Sequence, residues 1–205
     1  MKKLSFEEVI TPIIPFGSED PQRVVTIPNF LPTDQSTKLF TNLEDIPYEK
    51  GVVENDELEE QSYRKTQVKW ISFEEKWAEL FSFLHREIDK INNDLWRFNL
   101  SGIEEIVQYT EYDEKYQGHY NWHIDVGHEL FSNRRKLSMI IQLSKPEDYE
   151  GGDVLIYKGG NEPIKCSKEQ YSATFFPSFL LHKVTPVTKG NRKSLVLWIG
   201  GCPYK

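Results

Sequence analysis

Residues 180–199 read LLHKVTPVTKGNRKSLVLWI. Two runs rich in β-branched and aliphatic residues flank the turn signal Lys189-Gly190-Asn191-Arg192, a pattern that suits a sheet better than a helix. The pattern extends upstream to Gly102. There IEEIVQYTEY, HYNWHIDV, KLSMIIQLS, GDVLIYK and YSATFFP form further short β-prone runs, parted by SNRR, EGG, KGGNEP and PS. Many short strands at regular turn intervals predict a sandwich or a barrel. No internal repeat or linker interrupts them, so the chain reads as one domain over 1–205, with a barrel core over 101–205 and a supporting strand and helices within 1–100.

The first half has helical spacing instead. RVVTIPNFL (Arg23 to Leu31) is a short apolar run, Pro32-Thr33 signals a helix start, and Leu39, Phe40, Leu43 and Ile46 recur at helical intervals before Pro47. A stronger helix is predicted over 73–95. Ser72 and Glu75 have capping-box spacing, and Trp77, Leu80, Phe81, Leu84, Ile88, Ile91 and Leu95 make one apolar stripe. His85 lies beside that stripe and reads as packing or solvent-facing. The acidic stretch between the helices, Glu49 to Lys65, has no sustained apolar face and is expected to be an exposed loop.

Composition limits the function classes. Apolar residues make up 38% of the 205, and aromatics 13%, enough to fill a folded core. The formal charge of -7 disfavours a protein whose main partner is a nucleic-acid backbone. Arg134 to Lys136 and Lys189 to Lys193 are short basic clusters expected to be solvated loop charges. The opening MKKLSFEEVITPIIPF lacks the unbroken apolar region of a signal peptide, and no run approaches the ~20 apolar residues of a membrane span. Cys166 and Cys202 show no paired spacing and read as reduced thiols. A cytoplasmic protein is expected.

The chemistry centres on His123-Ile124-Asp125. On a strand, residues two apart share a face, so His123 and Asp125 would present two metal-capable groups to one wall while Ile124 enters the opposite layer. A hydrogen-bonded His–Asp pair in a β core would have the same sequence. Downstream, His182 in another β-type run supplies a second imidazole. Two imidazoles and a carboxylate on one face of a metal leave its other positions open, which suits Fe(II) activating O2 and contrasts with closed structural zinc sites. Ten residues further on stands Arg192, with Ser194 two beyond it on the same face. A guanidinium inside a barrel calls for an anion, and its planar fork matches a carboxylate. His119 and His123 have the spacing of a helical zinc pair, but the Tyr, Trp and Ile alternation around them favours a strand.

Taken together, HYNWHID, KLSMIIQLSKPEDYEGGDVLI and LLHKVTPVTKGNRKSLVLWI resemble the 2-oxoglutarate- and Fe(II)-dependent dioxygenases, especially the prolyl 4-hydroxylase-like group and its bacterial and phage relatives. The resemblance spans roughly Val107 to Gly200, and VVTIPNFLPTDQSTKLF looks like that group's leading strand and helix. It implies an α+β, mainly β fold: a double-stranded β-helix, or jelly-roll (cupin-like) barrel, with supporting N-terminal helices, the helix of 73–95 covering the larger sheet. It implies iron held by His123, Asp125 and His182, and Arg192 paired with the far carboxylate of 2-oxoglutarate, with Ser194 beside it. Gln142 stands where some relatives place a Tyr for that carboxylate. Tyr109 matches a Tyr near the co-substrate, although the loop TEYDEKYQG leaves Tyr112 and Tyr116 open for the role.

Asp125 occupies the position at which related halogenases carry a small residue, so the resemblance points to hydroxylation of an unactivated C–H bond, with O2 as co-substrate and ascorbate as an auxiliary reductant. Peptidyl proline is the favoured substrate. Hydroxylation of a small molecule or free amino acid is the alternative, and a nucleobase demethylase or a non-catalytic binding module follows behind. Trp122, Tyr116 and the acidic run Glu54 to Glu60 are candidates for a rim at the mouth; the same aromatics would also serve as core, and the acidic run as solvated loop.

Overall fold

The computed structural model describes residues 20–51 and 63–202. The opening MKKLSFEEVITPIIPF and the acidic run Glu54 to Glu60 lie outside the described residues.

The described strands form two antiparallel sheets. The larger runs in the order β1 (Val25–Ile27), β12 (Ala173–Pro177), β8 (Arg135–Gln142), β14 (Val187–Gly201), β6 (Val107–Asp113), β4 (Gln67–Ile71) and β2 (Glu49–Lys50), and β5 (Leu100–Ile103) and β9 (Tyr149–Gly151) also pair with β14. The smaller sheet is β11 (Ile164–Lys165), β10 (Val154–Tyr157), β13 (Leu181–Val184), β7 (His119–His123) and β3 (Arg64–Lys65). This is the mainly β architecture expected of a double-stranded β-helix. Among the described residues, α1 (Thr33–Leu43) follows β1 and α2 (Ala78–Leu95) lies between β4 and β5.

The register gives the large sheet one consistent parity. Leu195 pairs with both Ile141 and Tyr109, and Phe175 pairs with Met139. Strict alternation then sends the odd-numbered residues of β6, β8, β12 and β14 to one face and the even-numbered residues to the other. On the odd face Val107, Tyr109, Leu137, Met139, Ile141, Ala173, Phe175, Leu195, Leu197 and Ile199 form one core with the helices. The α2 stripe, with Leu80, Phe81, Leu84, Ile88 and Ile91 buried, covers this face as the sequence predicts. Each such side chain stabilises the fold by roughly 1.5–3 kcal/mol through removal from water. On the even face Tyr112, Ile140 and Phe176 meet Val154, Ile156 and Val184 of the smaller sheet. The space between the sheets holds the candidate site.

Three local expectations are corrected. Ser72 bonds the Glu74 carboxylate rather than capping a helix; a 3-10 turn, Glu75–Trp77, intervenes and α2 starts at Ala78 with no side-chain cap. Residues 49–50 and 64–65, expected within an exposed loop, are short strands whose partners are β4 and β7, and Arg64 is buried. The signal at 189–192 does not break the chain into two strands, because β9 pairs across Lys189 and Gly190 and carries β14 straight through.

The basic clusters are largely neutralised. Arg134 and Arg135 pair with Glu104 and Glu105, Lys136 is buried, and Lys189 pairs with Glu150. Cys166 is buried and Cys202 exposed, both as free thiols. No described helix is long and apolar enough to cross a membrane.

Candidate metal centre and cavity

His123, Asp125 and His182 converge, each offering a ligand atom within 4.8 Å of the others. Among the described residues no other group of His, Cys, Asp or Glu does so. The Nε2 of His182 lies 3.5 Å from Asp125 Oδ2, and that of His123 lies 3.8 Å from Oδ1. His123 and His182 are paired across β7 and β13. Asp125 reaches the site differently from the expected alternation. β7 ends at His123, and a bend held by the Asp125 N–H donating to the Ser178 carbonyl at 2.9 Å swings the carboxylate inward. Ile124 is accordingly not in the opposite layer; it is 48% exposed and lines the cavity mouth.

The second layer of contacts sets the ligand chemistry. His123 Nδ1 is 2.7 Å from the Asn121 carbonyl, and His182 Nδ1 is 2.9 Å from the Leu180 carbonyl. A carbonyl only accepts, so Nδ1 carries the proton in both rings and each Nε2 lone pair faces the triad. Ser138 Oγ donates to Asp125 Oδ2 at 2.5 Å. Burial, followed by the neighbouring His182 ring, pushes His123 down to about 3, so this imidazole stays neutral at ordinary pH. Burial opposes ionisation of Asp125, but the two facing histidines and the Ser138 hydroxyl outweigh it, and the carboxyl sits below its usual range.

A cavity of about 900 Å³ opens onto the triad. Arg192 and Ser194 line it from the even face of β14, 1% and 0% exposed. The Arg192 Nε and Nη2 and the Ser194 Oγ have no hydrogen-bond partner among the described residues. Buried unpartnered donors of this kind are costly unless a ligand satisfies them. Two imidazoles with Nε2 directed inward, an ionised carboxylate, and a guanidinium with no ion-pair partner among the described residues together fit a divalent metal beside an anionic ligand.

The structure separates the remaining candidates. Gln142 is buried on the cavity-facing side, opposite Ser194 on β14, with its Oε1 unpartnered, but it does not reach the cavity wall. Tyr109 has odd parity and packs in the helix-side core, so it is not at the cavity; Tyr112, of even parity, lines it with the Arg192 guanidinium 5.4 Å from its ring centre. Tyr116 bonds the Glu111 carbonyl and Trp122 lies under Lys183, so neither forms the rim. The mouth is instead formed by Ile106, Ile124, Leu130 and Phe131, all substantially exposed.

Sequence reasoning missed Ser138, Arg64 and Tyr120. Tyr120 stacks on His123 at 3.5 Å between ring centres, and Arg64 lies over Tyr120 while donating to Gln108. Tyr120 and His123 are three apart and should point oppositely; a bulge in β7 absorbs one residue between them and turns both inward. Ser138 was recognisable only through its parity with Ile140 and Gln142.

Fold and site together define a barrel with a two-histidine, one-carboxylate centre. The sequence pattern of the 2OG-Fe(II) oxygenase superfamily matches residues 107–200. A PKHD-type hydroxylase of Alteromonas mediterranea is 42% identical over 86 residues, covering 39% of this chain and 37% of that protein. A PKHD-type hydroxylase of Synechococcus is 39% identical over 82 residues, covering 39% and 36%. The matched stretch thus spans little more than a third of these relatives' own length. In fold, the chain is similar to a Pseudomonas putida prolyl-4-hydroxylase (TM-score 0.65, 19% identity, 88% of this chain and 94% of that one). It is also similar to a Trichoplax adhaerens prolyl hydroxylase solved with a peptide fragment of hypoxia inducible factor (TM-score 0.70, 20% identity, 87% and 83%). Residues 107–200 thus resemble the 2OG-Fe(II) oxygenase superfamily, and they carry the chain's likeness to the prolyl 4-hydroxylase-like group.

Proposed function

We propose that this protein is a 2-oxoglutarate- and Fe(II)-dependent dioxygenase that hydroxylates a prolyl residue of a peptide in the cytoplasm. The observation that carries the reading is the pairing of the His123, Asp125 and His182 triad with a buried Arg192, whose Nε and Nη2 have no hydrogen-bond partner among the described residues, in one cavity. Bound there, iron and 2-oxoglutarate supply the oxidising chemistry: O2 is consumed, the co-substrate becomes succinate and CO2, and one oxygen atom enters the substrate C–H bond.

The chain's own residues bind, orient and shield. The two Nε2 atoms and the Asp125 carboxylate would hold the metal, and the Asn121 and Leu180 carbonyls and the Ser138 hydroxyl keep these ligands in place. Arg192, with Ser194 beside it, receives the far carboxylate and so sets which end of the co-substrate faces the metal. Ile140, Val184 and Val196 keep the inner wall apolar, which limits water around the reacting groups. The apolar mouth, Ile106, Ile124, Leu130 and Phe131, offers a surface for a proline ring and its neighbours. The peptide complex of the Trichoplax relative and the PKHD-type names of the sequence relatives support a peptide over a nucleobase or a free metabolite.

Anaerobic addition of Fe(II) and 2-oxoglutarate, followed by O2, tests the reading through a visible charge-transfer band and succinate release. Both signals should vanish in His182→Ala, and Arg192→Ala should chiefly weaken the response to 2-oxoglutarate. Wild-type turnover and iron affinity in His182→Ala would overturn the assignment. Proline-containing peptides that stimulate succinate release beyond the uncoupled rate would fix the substrate class.

A further inference from the structure

The sequence YEGGDV (149–154) has no part in the triad, yet it touches the arginine. β9 pairs with β14 so that Tyr149 faces Gly190 and Gly151 faces Val187, which brings the turn alongside the stem of Arg192. Gly152 has φ +60°, and a Cβ there would sit 3.0 Å from Arg192 Cδ, 3.0 Å from Val187 Cγ2 and 3.2 Å from Tyr149 Cε2. The arginine stem and the tyrosine ring therefore meet over a bare stretch of backbone. At Gly151, φ +73°, a Cβ would lie 2.1 Å from the Pro186 carbonyl oxygen, so the turn packs against that backbone too closely for any side chain.

This wall is held firmly. The Gly152 N–H donates to the Pro186 carbonyl at 3.2 Å, and Lys168 Nζ donates to the Gly151 carbonyl at 2.6 Å while lying 4.6 Å over the Tyr149 ring. Tyr149 is 3% exposed, and among the described residues neither its hydroxyl nor the Nε and Nη2 of Arg192 has a hydrogen-bond partner. Burial raises the Tyr149 phenol above its ordinary value and the Arg192 charge nearby holds that rise back, which agrees with their close approach. Across the guanidinium stands Tyr112.

We propose that the turn Tyr149–Gly152 is a positioning element for Arg192: it fixes the direction in which the guanidinium enters the cavity and thereby selects 2-oxo acids that carry a second carboxylate. The proposal rests on the co-substrate reading above. Tyr149 and Gly152 act through Arg192. They do not touch the reacting atoms.

The test is a pair of anaerobic calorimetric titrations of the protein loaded with Mn(II), one with 2-oxoglutarate and one with 2-oxobutyrate, which lacks the far carboxylate. Gly152→Ala and Tyr149→Leu should each weaken 2-oxoglutarate by about tenfold, since small misplacements of a binding group carry costs of that order, and leave 2-oxobutyrate unchanged. Tyr149→Leu introduces no backbone strain and keeps the test decisive if Gly152→Ala folds poorly. Retention of the wild-type preference in both variants, or equal loss of both ligands in a variant with an unchanged melting temperature, would overturn the proposal. If wild type shows no preference for 2-oxoglutarate and Arg192→Ala changes nothing, the co-substrate reading itself fails and the proposal falls with it.

Discussion

Ser138 donates its hydroxyl to Asp125 Oδ2 at 2.5 Å, joining the middle of β8 to the bend after β7, and its Oγ lies 3.0 Å from that of Ser178. Asp125 leaves the regular strand before it reaches the site, so no ladder fixes its side chain. Ser138 supplies the orientation that the strand does not. Ser138→Ala should weaken divalent-metal affinity about tenfold to a hundredfold, the range seen when outer partners of a metal ligand are removed. Titration with Co(II) checks this, and unchanged affinity would show that the bend alone orients the carboxylate.

Arg192 carries a stability cost in the ligand-free protein. It is 1% exposed, with two of its nitrogens unpartnered. Replacing buried charge with an apolar side chain of similar volume often stabilises a fold by about 1–4 kcal/mol. Arg192→Met should therefore raise the urea midpoint of the metal-free protein while abolishing the response to 2-oxoglutarate. A lowered midpoint would mean that the guanidinium is already well paired without ligand.

Acid should destabilise the metal-free protein in a defined window. His123 is depressed from 6.5 to about 3 by burial, then by His182. The unfolded chain takes up this proton near pH 6.5 and the folded chain refuses it until about pH 3, so the unfolded state binds more protons between those values. Stability is full above pH 6.5 and falls as the pH drops through the window. Asp125, whose folded value is lowered from 3.8, adds a further loss below that pH. Urea midpoints in chelator near pH 7.5 and near pH 5 should differ, and His123→Gln should flatten the difference. A His123→Gln variant as acid-sensitive as wild type would place the effect elsewhere.

The mouth can be separated from the chemistry. Leu130 and Phe131 are 71% and 51% exposed and are not among the triad's ligands. Leu130→Ser with Phe131→Ser should raise KM for a responsive peptide several-fold, by loss of apolar contact area. Uncoupled succinate release should stay at the wild-type rate. A fall in that rate would show that these residues also shape the metal site.

The β-rich barrel, the α2 stripe and the triad were legible because each depends on periodicity or on rare chemistry. Leu80 to Ile91 recur at helical spacing whatever surrounds them, and His123, Asp125 and His182 are few in kind and distinctive in order. Tyr109 was misplaced because parity on β6 depends on its register with β14, a fact of pairing that one strand's sequence does not contain. Tyr120 was hidden by a bulge, and the Ser72 capping box failed because a 3-10 turn delayed the helix. Arg64 was hidden in an acidic stretch whose composition resembles solvated loop.

β14 pairs with β5, β6, β8 and β9, and it places Arg192, Ser194, Val196 and Trp198 toward the cavity and Leu195, Leu197 and Ile199 toward the helices. A substitution along it alters one face at one point, whereas a change of length alters both faces at once. Deleting a single residue between Arg192 and Ile199 would turn leucines into the ligand space and a serine and a tryptophan into the oily core, ruining binding and folding at one stroke. The residue count of this segment is thus set by the two opposed environments that it serves at once.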